Sequence, residues 1–366
     1  MMRPFVYNAL PARVVFGHGT ISQVADEVGR LGCRRALILS TPQQQSDAER
    51  LASTLGDFAA GVFAGAVMHT PVEVTEQAMG LQRDLGADCT VALGGGSTIG
   101  LGKAIALRTD LPQIVIPTTY AGSEATPILG ETEGGRKTTQ RSLKVLPEVI
   151  VYDVDLTLTL PQGLTTTSGL NAIAHAVEAL YAEDANPVIS LLAEQAIAIL
   201  AQALPRIKQN PQDREARADA LYGAWACGTC LGSVGMALHH KLCHVLGGSF
   251  GLPHAETHTV VLPHAVAFNA QAAPEAMTRA ARALGVTDAA QGLFELAGEL
   301  GAPRSLSEIG MPEGRLDDAA DFAVASPYWN PRPIERDVIR ALLQDAYDGR
   351  SPRGASYSKS TETAHV

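Results

Sequence analysis

The chain has 366 residues, of which 46% are apolar and 18% charged, and its net charge is −10 at neutral pH. That length favours two domains with a sizeable core. The acidic balance excludes a generic nucleic-acid binder, which needs a basic face, but leaves room for a local site that takes a small anion. No stretch reads as the roughly 20 apolar residues of a membrane helix. The opening MMRPFVYNALPARVVFG lacks the sustained apolar run of a secretory signal.

Taken in chain order, apolar and β-branched runs at 36–40 (ALILS), 89–93 (CTVAL), 113–117 (QIVIP) and 149–153 (VIVYD) predict strands. Helical patterns fall between several of them, at 72–86 and 97–108. Alternation of this kind predicts an α/β domain over 1–160, built on a parallel sheet covered on both faces, with ligands bound beyond the carboxyl ends of the strands. After residue 161 alanine and leucine dominate and strand patterns vanish. Segments 168–182, 187–204, 214–232, 274–285 and 336–347, with a histidine-rich stretch among them, predict an all-α domain over 161–350. Residues 351–366 read as a polar tail.

The five cysteines, Cys33, Cys89, Cys227, Cys230 and Cys243, are odd in number and scattered through apolar stretches. They fit a reducing cytoplasm. Cys227 and Cys230 form a CxxC, but no second CxxC or thioredoxin-like context accompanies it. The surrounding ALYGAWACGTCLGS reads as a small-residue helix at a close contact.

Gly94, Gly95 and Gly96 follow a predicted strand and open a helix through Ser97. Glycines let a backbone approach phosphates, and the free N–H groups of a helix start attract negative charge. The run is neither a GxGxxG fingerprint nor a Walker loop, and an ordinary strand-to-helix turn has the same look. Lys103 falls two turns into that helix, either reaching toward a ligand or serving the structure. The loop PTTYAGSE at 117–124 offers Thr118, Thr119, Tyr120 and Ser123 as hydroxyl donors to a pyrophosphate or a ribose, or else caps a turn. Ser40, at the end of its strand, has no acid beside it that would grip a ribose 2′-hydroxyl or repel a 2′-phosphate.

Six of the ten histidines crowd into one segment: His239, His240, His244, His254, His258 and His264. Imidazole donates, accepts, binds metals and titrates near neutral pH. His240 and His244 share a helix face at i, i+4, as do Asn171 and His175 farther upstream. With His254 these pairs suit a metal site or a metal-free reaction centre. His239, His258 and His264 read as supporting or structural residues.

The order GGGS…K, PTTxxGSE, NAIAHAVE, HxxxHxxG and PH resembles the iron-containing alcohol dehydrogenase family over about residues 12–350, including FGHG at 16–19 and PEVIVYDVDLTLTLP at 147–161. The resemblance implies a dinucleotide-binding α/β domain followed by a helical one, an architecture shared with dehydroquinate synthase. It also implies a site in the cleft between the two and a homodimer. Family members hold a divalent metal through an aspartate and three histidines. His175, His240 and His254 match, but Asn171 stands where the aspartate belongs, and Gly100 replaces the aspartate that follows GGGS. A neutral amide offers no charge to offset the dehydration of a hard cation.

These departures make the chain similar to the maleylacetate reductase branch. That similarity implies an NAD(P)H-dependent oxidoreductase that reduces the C=C bond of maleylacetate, a dicarboxylate, to 3-oxoadipate in aromatic hydrocarbon catabolism. It also implies NADH or NADPH as coenzyme and no metal requirement. His244 and His254 are then expected to meet the charge that hydride addition creates, as hydrogen-bond donors or as imidazolium, with His240 and His175 shaping the pocket. Tyr120 is a candidate proton relay, and Lys241 and Lys103 are the nearest cations for substrate carboxylates. Gly94, Gly95, Gly96, Ser97, Lys103, Thr118, Thr119, Ser123 and Ser40 are expected around the coenzyme. Two other readings stay open: a metal-dependent alcohol or glycerol dehydrogenase, and a lyase like dehydroquinate synthase. The chain is expected to bind small molecules only, with no nucleic acid and no membrane.

Overall fold

The computed structural model describes residues 4–10 and 12–353, so residues 354–366 of the predicted tail lie outside it. Eight strands form: β1 (Arg13–Gly17), β2 (Ala36–Leu39), β3 (Ala59–Phe63), β4 (Cys89–Gly94), β5 (Gln113–Pro117), β6 (Ile128–Glu133), β7 (Arg136–Arg141) and β8 (Val149–Asp153). Six make a wholly parallel sheet in the order β1-β8-β5-β4-β2-β3. β2, β4, β5 and β8 are buried along their whole length. That is why their sequences are continuous apolar runs rather than alternations.

Around the sheet lie α1 (Val24–Arg30), α2 (Gln45–Leu55), α3 (Val72–Leu85) and α4 (Gly96–Thr109). The chain lays β3 on one side of β2 and then returns to lay β4 on the other, with β5 beyond it. The order therefore reverses between β2 and β4. The crevice at their carboxyl ends, between Ser40 and Gly94, is where such a sheet takes a ligand.

The four expected strands and both expected helices of this half are present. β1 and β3 were not anticipated, and neither was the antiparallel hairpin of β6 and β7, which turns at Gly134 and Gly135, both with positive φ (54° and 78°). Two left-handed residues in a row make the tight hairpin turn that Gly-Gly favours.

From residue 162 the chain is helical: α5 (Gln162–Leu180), α6 (Pro187–Gln209), α7 (Arg214–Ser233), α8 (Leu238–Phe250), α9 (His254–Asn269), α10 (Pro274–Leu284), α11 (Ala289–Leu300), α12 (Leu316–Val324) and α13 (Arg336–Tyr347). One apolar core joins Leu37, Leu39 and Val115 of the sheet to Leu170, Ile173 and Val177 of α5. α6 corrects one expectation, because by length and composition this 23-residue helix could cross a membrane. Here Ile189, Ala193, Ala196, Ile197, Leu200 and Leu204 bury one of its faces in the helical core.

Candidate active site

The glycine turn sits at the reversal point. Gly94 has φ 151°, and a Cβ on it would meet Thr98 Oγ1 and Gln44 Oε1 at 2.6 and 2.8 Å. A Cβ on Gly95 would lie 2.9 Å from Thr119. Only bare backbone fits here. Gly95 caps α4 with no side-chain bond, and no acid lies in the first turn, so the N–H groups of Gly96 and Ser97 are left to an anion. The neighbouring loop is tied in: Thr118 N–H donates to Gly94 O at 3.1 Å, and Gln44 Nε2 donates to Thr118 Oγ1 at 3.2 Å. The buried hydroxyls of Ser40, Thr98 and Ser123 have no hydrogen-bond partner among the described residues. A glycine cradle, a free helix start and unspent hydroxyls together fit the phosphates and ribose of a dinucleotide.

Two expected site residues are placed elsewhere. Lys103 is buried, and its Nζ donates to Ser123 O, Thr126 O, Thr126 Oγ1 and Ile128 O at 2.6–3.0 Å. It pins the 118–128 loop from behind, its Nζ held by these four oxygens. Burial brings it down to about 7, opposed by nearby Glu124. Burial pushes Glu124 up to about 7, although Tyr152 donates to it at 2.9 Å. The Tyr120 hydroxyl accepts from Arg217 Nη1 at 3.2 Å, and the same nitrogen donates to Thr165 at 3.0 Å. Thr165 precedes His175 by ten residues of α5, about 15 Å of helix. Tyr120 therefore anchors the loop to the helical core and is no proton relay.

The loop crosses α7 where both chains are bare. A Cβ on Gly228 would overlap the Gly122 carbonyl, and one on Gly122 would lie 3.0 Å from Ala224 O. This is the close contact expected of the CxxC segment. Cys227 and Cys230 are buried and free, and burial pushes both thiols up.

One residue before that crossing, Ala121 O lies 3.2 Å from His175 Nε2. His175 Nδ1 lies 2.8 Å from His240 Nε2, and His240 Nδ1 lies 2.6 Å from Glu178 Oε2. Glu178 also accepts the N–H groups of Ala237 at 3.1 Å, His239 at 2.8 Å and His240 at 3.4 Å. It caps the start of α8. Glu178 lies within the NAIAHAVE motif, where no role is expected of it from the sequence. The signal was its place three residues after His175 and seven after Asn171, on one face of α5.

With Glu178 ionised and both imidazoles neutral, His240 donates to Glu178, His175 donates to His240, and His175 Nε2 is left as an acceptor. A proton taken up at Nε2 lets His175 donate to Ala121 O with both rings still neutral, provided the Nδ1 proton of His175 passes to His240 Nε2 and that of His240 Nδ1 passes to Glu178. The chain of groups can therefore pass a proton inward or outward.

Burial, ahead of repulsion from neighbouring imidazoles, holds His175 and His240 well below the usual histidine range. At neutral pH they are uncharged donors. His244 and His254 are exposed. The His244 ring lies 6.4 Å from that of His240, and His254 lies 4.3 Å from His258, which is itself 5.0 Å from His240. The four expected histidines thus form one group, with two at the core and two at the lip. Lys241, half-buried on α8, holds its Nζ 5.6 Å over the Tyr328 ring.

The family's metal positions do not fit an ion in this chain. Asn171 supplies an amide whose Oδ1 is buried and unbonded, and its Nδ2 faces His175 Nε2 at 3.5 Å. His175 faces His240 with Nδ1 and Ala121 O with Nε2, so neither of its nitrogens is turned to an ion. The second missing aspartate has a steric counterpart. A Cβ at Gly100 would overlap Thr70, a buried β-branched residue held at φ 45°.

Both halves of the chain have counterparts among known proteins. Residues 11–154 match the family described as iron-containing alcohol dehydrogenase, and residues 165–347 match its C-terminal part, Fe-containing alcohol dehydrogenase. A maleylacetate reductase of a Rhizobium species is 59% identical, over 96% of this chain and all of its own. One from Burkholderia cepacia is 57% identical with the same coverage. The crystal structure of maleylacetate reductase from Agrobacterium tumefaciens superposes with a TM-score of 0.93 at 60% identity, covering 96% of this chain and 100% of that one.

Proposed function

The chain belongs to the iron-containing alcohol dehydrogenase family, and we propose that within it this enzyme reduces the carbon–carbon double bond of maleylacetate to give 3-oxoadipate. It is an NAD(P)H-dependent oxidoreductase. A bound reduced nicotinamide supplies the hydride. The residues of the chain have three tasks: to hold the coenzyme, to meet the charge that hydride addition leaves on the conjugated carbonyl oxygen, and to return a proton to carbon.

The glycine turn at Gly94–Gly96 and the Ser40, Ser97, Thr118, Thr119 and Ser123 positions hold the coenzyme. No acid lies among residues 40–44 (STPQQ), so neither a 2′-hydroxyl nor a 2′-phosphate is selected, and NADH and NADPH both serve. The developing enolate takes hydrogen bonds from neutral histidine donors in a water-poor site, where fixed donors act most strongly. His244 and His254, at the lip, exchange protons with solvent and supply the one that carbon needs. His175, His240 and Glu178 orient them and carry the compensating proton shift. No metal takes part, because the donor set that would hold it has lost its carboxylate at Asn171.

The observation that carries this reading is the 3.2 Å contact between Ala121 O and His175 Nε2. It sets the histidine group three residues of extended chain, at most about 11 Å, from Thr118 beside the glycine turn. Five free, buried cysteines suit a reducing cytoplasm. The test follows coenzyme oxidation with maleylacetate beside simple aldehydes and identifies the product. Selective turnover to 3-oxoadipate is expected. Preference for aldehydes would return the metal-dependent dehydrogenase reading, and a hundredfold coenzyme preference would refute dual use.

A further inference from the structure

We propose that His239, His240 and His258 form a binding site for a divalent cation of the zinc and cobalt(II) class, which shares His240 with the family's metal positions but uses none of Asn171, His175 and His254. All three residues are buried, and one ligand nitrogen from each lies within 4.8 Å of the others. His258 is wholly enclosed, and among the described residues neither of its ring nitrogens has a hydrogen-bond partner; Nδ1 of His239 has none either. A buried imidazole nitrogen without a partner is costly and calls for an occupant.

The rings are already gathered. His239 and His258 stand 4.8 Å apart, His240 and His258 5.0 Å, and His239 and His240 5.1 Å, each pair near perpendicular. Small χ rotations bring such nitrogens to the about 2.0–2.1 Å that zinc requires, leaving a fourth position open. The donor set has three neutral nitrogens and no carboxylate. Imidazole suits zinc, cobalt, nickel and copper, whereas magnesium and calcium need oxygen ligands. Glu178 behind His240 Nδ1 is the acceptor that commonly orients a ligating histidine.

The cation competes with function. His240 Nε2, now bonded to His175, is the nitrogen left to an ion because Nδ1 faces Glu178. Occupancy breaks the His175–His240 link, so the ion inhibits. This consequence rests on the reduction proposed above, and the binding itself does not.

The test titrates chelator-stripped full-length protein with cobalt(II) and follows visible d–d absorption. One equivalent with tetrahedral-type bands is expected in the unmodified protein and in His254→Ala, with loss of the bands in His258→Gln. Bands that persist in His258→Gln, vanish in His254→Ala, or never form overturn the site. Anomalous scattering from cobalt-loaded crystals of the unmodified protein locates the ion without any variant. A peak among the three rings is expected, and a peak elsewhere or none overturns the site. For turnover, zinc is expected to inhibit the unmodified enzyme at least tenfold more tightly than His258→Gln, each measured against its own metal-free rate. Equal inhibition would sever the link to His240.

Discussion

Ala121 and His175 join the two halves of the site: the backbone carbonyl of the coenzyme-side loop meets the first ring of the histidine group at 3.2 Å. From there the bonded groups run through His240 to Glu178, a carboxylate fully enclosed at the start of α8.

Glu178→Gln should therefore slow the reaction more than it loosens binding. The amide keeps the shape but cannot accept from every N–H group and from His240 as a charged carboxylate does. A drop in kcat on the order of 10- to 100-fold is expected, with the KM for coenzyme unchanged. Steady-state kinetics decides, and a kcat near that of the unmodified enzyme would remove Glu178 from the proton path.

Lys103 acts on the coenzyme through the loop it pins. In Lys103→Met the carbonyls of Ser123, Thr126 and Ile128 lose their donor. The KM for NADH should rise about tenfold, the scale of a misplaced binding loop, while the KM for maleylacetate moves much less. Equal increases in both constants would mean that the lysine merely supports the fold.

At Gly228 the backbone crossing leaves no room for a methyl group. Gly228→Ala forces the 118–125 loop and α7 apart and should cost about 1–3 kcal/mol, as overpacking does. Urea unfolding measures the loss, and coenzyme titration should show weaker binding alongside it. Unchanged values for both would contradict the contact.

How much of this was legible in the chain depends on what each residue type reveals. β2, β4, β5 and β8 could be read because strands covered on both faces are unbroken apolar runs. β1 and β3, the two edge strands, have only part of their surface covered, and their short mixed sequences give no such run. The histidine group was visible from its density, and Asn171 from its departure from a motif. Tyr120 and Lys103 were assigned to ligands because a sequence does not say where a long side chain ends. Both tips are claimed by buried partners from remote segments, Arg217 in one case and the 123–128 backbone in the other. The neutrality of His175 and His240 was equally invisible, since it follows from burial.

Acid should destabilise the fold through its enclosed imidazoles. His264, on α9, has no partner for either ring nitrogen among the described residues, and burial brings it down to about 4 from the ordinary 6.5. Above pH 6.5 the group is neutral in folded and unfolded chains alike, and its contribution is intact. Between 6.5 and 4 the unfolded chain takes the proton first, so stability falls with pH, by roughly 3 kcal/mol at the acid end for this one group. In His264→Leu the decline in unfolding free energy between pH 7.5 and 5 should be shallower. An unaltered slope would show that His264 is not among the groups responsible.

The most direct test of the account is turnover of maleylacetate by protein stripped of metal with a chelator and checked by elemental analysis, measured beside untreated protein. The account predicts a kcat in the stripped protein at least equal to that of the untreated protein, with coenzyme oxidised and 3-oxoadipate formed. Activity that disappears on stripping and returns with iron or zinc would contradict it.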